Sequence, residues 1–334
     1  VYKRQVVNGI IERKHTKAIL ANILFRTVDN KIMLLATDTL LELITYISPS
    51  TPDITINTTI SGRKLYDICR ALPPDCMINL QPDDQNHKVT LYSDRGRFVL
   101  SSLPAADFPI FNAPQQPSTT ITLPEGALYC LLNHTSFAIS TKEVRSYFIG
   151  LAMLLEPHKL ECIAADGHRL ASSYISHASF PETTMQALLP RKVVTELIRL
   201  LNADSTNPLT IALNANYLQV RHRNFTLTAK LLTATIPNYH RIIPAPAPEV
   251  ALQLPSNALA QALTRVSILA HEKFRSIKWQ ITANQLLLAT DNTEQESADE
   301  TLSIENNGPH ITAYFNVNYL LDILNATIDE ILHW

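Results

Sequence analysis

One phrase occurs three times along this chain of 334 residues. Leu34-Leu35-Ala36-Thr37-Asp38, Cys162-Ile163-Ala164-Ala165-Asp166 and Leu287-Leu288-Ala289-Thr290-Asp291 are each a short apolar strand ending in a small residue and an aspartate. The three aspartates lie 128 and then 125 residues apart. A second phrase recurs at nearly the same shift. Gly62-Arg63-Lys64, Pro190-Arg191-Lys192 and Asn316-Val317-Asn318 each open a segment with apolar residues at helical spacing, which predicts an amphipathic helix of about three turns. A third phrase occurs twice: Phe98 to Leu103 followed by Phe108-Pro109, and Phe225 to Leu231 followed by Ile236-Pro237. Its alternation with β-branched and aromatic residues reads as a strand closed by a proline turn. Coincidence produces one shared phrase more readily than two phrases in register across three copies, so the chain reads as a repeat protein.

The joints agree with that reading. Residues 112–118 and 243–248 are proline-rich and lack hydrophobic periodicity, as extended linkers do. Three domains are expected at 1–113, 120–243 and 249–334, each mixing strands with two helices, an α+β class. A third copy of the third phrase would fall beyond Trp334, so the arithmetic leads to the expectation of an incomplete third domain.

Composition removes several function classes. Only seven glycines occur, and none are spaced as G-x-G-x-x-G or G-x-x-x-x-G-K, so the glycine-built phosphate cradles are absent. Lys plus Arg is 28 and Asp plus Glu is 30, giving a net charge of −2. Binding to phosphate must therefore come from local segregation of charge. The four cysteines, Cys69, Cys76, Cys130 and Cys162, form no C-x-x-C pair. They read as reduced thiols in a cytoplasmic protein, with no metal or cofactor expected. No apolar run reaches the length of a membrane span.

The motifs carry a resemblance. Ser101-Ser102-Leu103-Pro104-Ala105-Ala106-Asp107-Phe108-Pro109, Ala165-Asp166-Gly167-His168-Arg169-Leu170, His271-Glu272-Lys273-Phe274-Arg275 and the run from Asn316 to Leu324 resemble the bacterial sliding clamp family, the β subunit of DNA polymerase III. That resemblance implies the DNA clamp fold: three repeated domains, antiparallel sheets outside and helices lining a central channel. It also implies a head-to-tail homodimer ring around double-stranded DNA and no intrinsic catalysis. The implied partners are the polymerase catalytic subunit, the clamp loader and repair proteins, and the implied location is the nucleoid.

A sliding protein has to neutralise phosphates without reading bases, and recurring Lys and Arg at helix starts would do so. The resemblance points to Lys14, Arg70, Lys142 and Lys192 for DNA contact, and the recurrence adds Arg145, Arg191 and Arg199. Asp166 and His168 with Ser172 and Ser173 supply triad residue types, but neighbours on one strand alternate between faces and do not converge. By resemblance this loop instead lines a groove for short partner peptides, made of Phe148, Ala165, Gly167, His168, Arg169, Leu170, Pro237, Arg241 and Ile242. The family builds the far side of that groove from its last strand and tail, which the repeat arithmetic puts past Trp334, so weakened peptide capture is expected.

Charge also suggests a ring contact. Arg95, Arg97, Phe98 and Leu100 lie on one strand, while Glu294, Glu296 and Glu300 form an acidic segment near apolar Ile268 and Leu269. A head-to-tail dimer would bring the two together. A hydrolase built on Asp166 and His168, and a clamp relative that no longer closes and serves as a scaffold, are the competing readings.

Overall fold

In the computed structural model the described residues are 9–11, 17–50, 54–73, 76–83, 85, 87–111, 118–178, 180–243, 252–306, 308–327 and 330–333. Lys14 and most of both proline-rich joints lie outside them.

The first repeat contains β1 (Asn22–Val28), β2 (Lys31–Thr37), β3 (Leu41–Ile47), β4 (Asn57–Ser61), α1 (Gly62–Ala71), β5 (Asn79–Asp83), β6 (Lys88–Tyr92) and β7 (Arg97–Ser101). The second begins with β8 (Thr119–Pro124) and α2 (Glu125–Ser136) and continues through β9 (Gly150–Glu156), β10 (Lys159–Ala165), β11 (Leu170–Ser176) and β12 (Met185–Pro190). It closes with α3 (Arg191–Leu200), β13 (Pro208–Leu213), β14 (Tyr217–His222) and β15 (Phe225–Lys230). The third holds β16 (Gln253–Pro255), α4 (Ser256–Val266), β17 (Ser276–Ile281), β18 (Gln285–Asp291), β19 (Ser297–Ser303), β20 (Ile311–Asn316), α5 (Val317–Ala326) and β21 (Ile331–His333). Among the described residues all three repeats share four strands, a helix and at least one further strand, and the second and third open with a strand and helix.

Local chemistry explains the elements. Asp29 and Asn30 both take positive φ, 48° and 58°, giving the two-residue turn that matches strand twist between β1 and β2. In α3 the buried Val193, Val194, Leu197 and Leu200 form one apolar stripe, and Arg191, Thr195 and Arg199 lie on the exposed side. Asn316 caps α5 by accepting a hydrogen bond from the Asn318 N–H at 3.0 Å. Gly126 is required by close approach, because a Cβ there would lie 2.2 Å from the Ala203 carbonyl oxygen.

The described chain packs as two compact units, one of residues 1–132, 141–162 and 174–236 and one of residues 133–140, 163–173 and 237–334. The first contains an eight-stranded antiparallel sheet in the order β4-β1-β2-β3-β15-β14-β13-β8. Its centre is the β3–β15 pairing, with Leu43 opposite Leu227 and Glu42 opposite Thr228. One sheet therefore runs across two repeats. A three-stranded sheet β5-β6-β7 leaves β7 at its edge.

The second unit holds the sheet β19-β18-β17-β20 and the pair β16-β21. Its core gathers the fully buried Trp279 with Leu259, Leu263, Leu286, Leu288, Val317 and Leu320. Leu254 of β16 is buried in the same core, and Leu332 of β21 packs against it. Both helices of this repeat and the strands on either side of them close over one apolar centre.

Candidate functional site

The loop after β10 is held as a tight turn by one side chain. Asp166 Oδ1 accepts from the His168 N–H at 2.9 Å and the Arg169 N–H at 3.0 Å, and the Asp166 N–H donates to the Arg169 carbonyl at 3.2 Å. Gly167 supplies the required positive φ of 89°.

Arg169 is then fully engaged. Its Nε donates to Asp166 Oδ2 at 3.0 Å, Nη1 to Asp322 Oδ2 at 2.6 Å and Nη2 to the Phe137 carbonyl at 2.7 Å. The guanidinium also lies 4.4 Å from the Tyr319 ring centroid and 5.2 Å from that of Phe137. His168 stacks on the same helix, 6.4 Å from Tyr319 with the rings 25° apart. Arg169 is thus a strut between this turn and α5, a different role from the peptide-facing cation expected of it. Sequence reasoning misses Tyr319 and Asp322 as site residues. Their spacing of three on a helix, one face, is the available signal.

The other groove residues fall as follows. Ala165 is buried, Leu170 is half-buried, and Gly167 and His168 are exposed. Pro237 precedes a short turn of helix at Tyr239–Arg241, after which Ile242 is 67% exposed. Phe148 belongs to the first compact unit and the rest to the second. In its own unit Phe148 packs against Tyr147 and under Arg145, whose guanidinium sits 4.5 Å from the ring centroid.

The basic residues divide into two kinds. Arg70 is exposed on the last turn of α1, as are Arg63 and Lys64 at its start, and Arg191 is exposed at the start of α3. Lys192 is instead turned inward: its ammonium donates to Asp38 Oδ2 at 2.5 Å and to the Ile10 carbonyl at 3.2 Å. Asp38 is itself buried, so this lysine's charge is compensated within the protein. Arg199 grips Glu196 at 2.6 Å one turn earlier. Lys142 and Arg145 lie on a turn between α2 and β9, which corrects their placement at a helix start: residues 140–146 lack an apolar period. Arg145 donates to Glu143 at 2.9 Å, and the neighbouring carboxylate raises its pKa.

The edge strand β7 exposes Arg97, Val99 and Ser101 and turns Phe98 and Leu100 toward its own sheet. Leu100 is buried, and strand alternation assigns it to the opposite face from Arg97. Arg95 is exposed beside the turn closed by Ser93 and Gly96. On the third repeat β19 is also an edge. Ile268, on the short turn packed against it, is 75% exposed, Leu269 is half-buried, and Glu294 and Glu296 are exposed. Glu300 is held by Arg265 at 2.5 Å within the chain, which lowers its pKa.

Repeated strand–helix units, exposed cations on α1 and α3 and charged free sheet edges are together the features of a DNA clamp. Three family models match in order: the N-terminal domain of the DNA polymerase III beta subunit over residues 3–112, its central domain over 122–238 and its C-terminal domain over 240–331. The chain belongs to the DNA polymerase III β-subunit family. A beta sliding clamp of Pseudomonas putida is 35% identical over 327 residues, covering 98% of this chain and 88% of that protein. The beta sliding clamp of Salmonella typhimurium is 36% identical over 323 residues, covering 96% and 86%. The crystal structure of a sliding clamp from Pseudomonas aeruginosa bound to griselimycin superposes with a TM-score of 0.92 at 32% identity, covering 99% of this chain and 88% of that one. The C-terminal-domain match leaves the reading of a third domain cut short without support. Family membership makes the chain a non-catalytic processivity factor, which sets the hydrolase reading of Asp166 and His168 aside.

Proposed function

We propose that this clamp divides its work among three surfaces, one per partner. The chain is a processivity clamp of DNA polymerase III that works as a homodimer around DNA and binds the polymerase and other proteins. The division into domains at 1–113, 120–243 and 249–334 belongs to the proposal, as does residence at the nucleoid.

The observation that carries the ring reading is the β3–β15 junction. There the first sheet of one repeat joins the second sheet of the next by plain antiparallel pairing. Among the described residues β11 and β19, at the repeat position of β3, and β7, at that of β15, are sheet edges. Pairing β19 with β7 of a second copy repeats the junction and removes two exposed edges. Arg95 and Arg97 of one protomer would then approach Glu294 and Glu296 of the other, with Val99 and Ile268 giving apolar area.

Duplex DNA would meet Arg63, Lys64, Arg70 and Arg191, with Lys142 and Arg145 on their turn. Lys192 and Arg199 act from behind by fixing α3 through Asp38 and Glu196. Partner peptides would meet His168, Leu170, Pro237, Arg241 and Ile242, against a turn held in shape by Arg169.

Retention on DNA circles tests the whole reading. After loading by an ATP-driven clamp loader, the protein should stay on closed circular duplex and leave once the circle is cut. Equal loss from both forms would overturn encirclement.

A further inference from the structure

The turn from β2 to β3 repeats the aspartate bonds of the turn from β10 to β11 and adds one, from the Thr39 N–H to Thr37 Oγ1 at 3.0 Å. Asp38 Oδ1 accepts from the Leu40 N–H at 2.9 Å and the Leu41 N–H at 2.7 Å, and the Asp38 N–H donates to the Leu41 carbonyl at 3.1 Å. Thr39 thereby occupies the position of Gly167, with φ 77° against 89°. A branched side chain is rare in that region of backbone space, where glycine is the unstrained choice. The first repeat therefore keeps a threonine where the second uses glycine.

That threonine faces a cavity of about 220 Å³ in the first compact unit. Thr37, Thr39 and Pro109 line it, at the repeat positions of Ala165, Gly167 and Pro237 in the second repeat. Ile110 and Phe111 continue its apolar wall, and Tyr217 and Lys230, both beside Phe111, complete the lining. Phe111 is fixed in place: its N–H donates to Glu42 Oε2 at 2.8 Å and its ring meets Tyr217 edge-on at 5.4 Å. The Lys230 ammonium lies 5.7 Å from the Phe111 centroid and has no carboxylate partner among the described residues.

We propose that this cavity is a second binding site, specific for an aromatic carboxylate. The ligand's ring would lie on Pro109, Ile110 and Phe111, and its carboxylate would meet the Lys230 ammonium beside the Thr39 and Tyr217 hydroxyls. The volume suits one aromatic side chain, the fixed aromatic wall suits a flat ring, and the cation on the rim sets the sign of the ligand's charge. Two sources share this chemistry: a free aromatic acid, or a peptide that ends in an aromatic residue. The inference stands on the cavity itself and does not require the peptide groove of the second repeat.

Ligand-observed NMR on the full chain, with 3-phenylpropionate and with an acetylated tetrapeptide ending in phenylalanine, tests it. Saturable binding with a dissociation constant on the order of 1 mM is expected for the small acid. A peptide at least tenfold tighter would identify the peptide as the source, and equal affinities the free acid. Amidating the carboxylate, or introducing Lys230→Met, should weaken binding by about fivefold or more, as removal of a charge-assisted hydrogen bond does. The Ile110 methyl signal should shift on titration in the wild type, and thermal unfolding should show Lys230→Met folded. Binding indifferent to the amide and to Lys230→Met, or an unmoved Ile110 methyl signal, would overturn the proposal.

Discussion

The Arg169 guanidinium donates to Asp322 at 2.6 Å, tying a turn of the second repeat to the fifth helix, in the third. The arginine is 16% exposed and already bonded to Asp166 and the Phe137 carbonyl, so the pair belongs to a network. Asp322→Ala should cost about 1–2 kcal/mol of stability by leaving one charge-assisted donor unmet. The Tyr319 and His168 rings should loosen with it, and affinity for a polymerase-derived peptide should fall severalfold. Asp322→Asn, which retains an acceptor, should recover much of both. Calorimetry and thermal unfolding on the two variants check this. Unchanged peptide affinity in Asp322→Ala would separate the strut from the groove.

Charge reversal on the helices separates two classes of cation. Arg70→Glu and Arg191→Glu should weaken DNA retention on every sequence alike, with the fold intact. The salt slope should fall by about one unit for each phosphate no longer neutralised. Lys192→Met should behave differently. It strands the Asp38 carboxylate, which is 6% exposed, and should cost about 1–3 kcal/mol of stability. Parallel denaturation and salt titrations distinguish the two. A Lys192→Met protein of unaltered stability would mean that its bond to Asp38 contributes nothing.

Two buried titratable groups pull stability in opposite directions with pH. His222 is buried with Nε2 3.5 Å from Glu125 Oε2. Burial lowers its pKa, the Glu125 charge partly restores it, and Arg223 lowers it further. A histidine whose folded pKa is depressed is protonated first in the unfolded chain, so stability should fall as pH drops below about 6.5. Burial raises the pKa of Glu42, against the bond from the Phe111 N–H. Its contribution is present below the unfolded carboxylate pKa and is lost as pH rises through the raised folded value. His222→Gln should flatten the acid side of the profile, and Glu42→Gln should stabilise the protein at pH 7 and above. Urea midpoints measured from pH 5 to 8 check both, and parallel profiles for wild type and variants would count against them.

Much of this was legible in the sequence because repeats expose what is structurally obligatory. The apolar periods after Arg63-Lys64 and Arg191-Lys192 became α1 and α3, and the phrase ending in aspartate became a strand running into a capped turn. The third copy shows the limit. Asn292, one residue past Asp291, accepts from the Glu294 and Glu296 N–H groups, so the capping role shifted along the chain while the phrase did not. The α2 helix shows no clear stripe in the sequence, because the unbroken apolar run from Ala127 to Leu132 hides the buried face of Leu128, Leu131 and Leu132. Partners distant in sequence were invisible: the commitment of Lys192 to Asp38 and of Arg169 to Asp322 each joins residues more than 150 positions apart. Residue type suggested a cation at each place, and only the fold says whether that cation is already spent.

The ring contact gives the sharpest test of the charged edges. Arg95 and Arg97 are exposed on and beside the β7 edge, and reversing both to glutamate would set like charges against Glu294 and Glu296 of a second copy. Exposed pairs contribute about 0.2–1 kcal/mol each, so the double reversal should weaken the dimer roughly tenfold. The effect should shrink at high salt, where exposed charges are screened. Reversing Glu294 and Glu296 to lysine in the same chain should recover a substantial part of the affinity. Glu300 behaves differently, because its carboxylate is held by Arg265 on its own chain. Glu300→Lys should therefore disturb the α4–β19 packing and fail to rescue the arginine reversals. Sedimentation equilibrium across a salt series measures all four proteins. Rescue by Glu300→Lys, or none by the Glu294 and Glu296 pair, would place the contact elsewhere on the two edges.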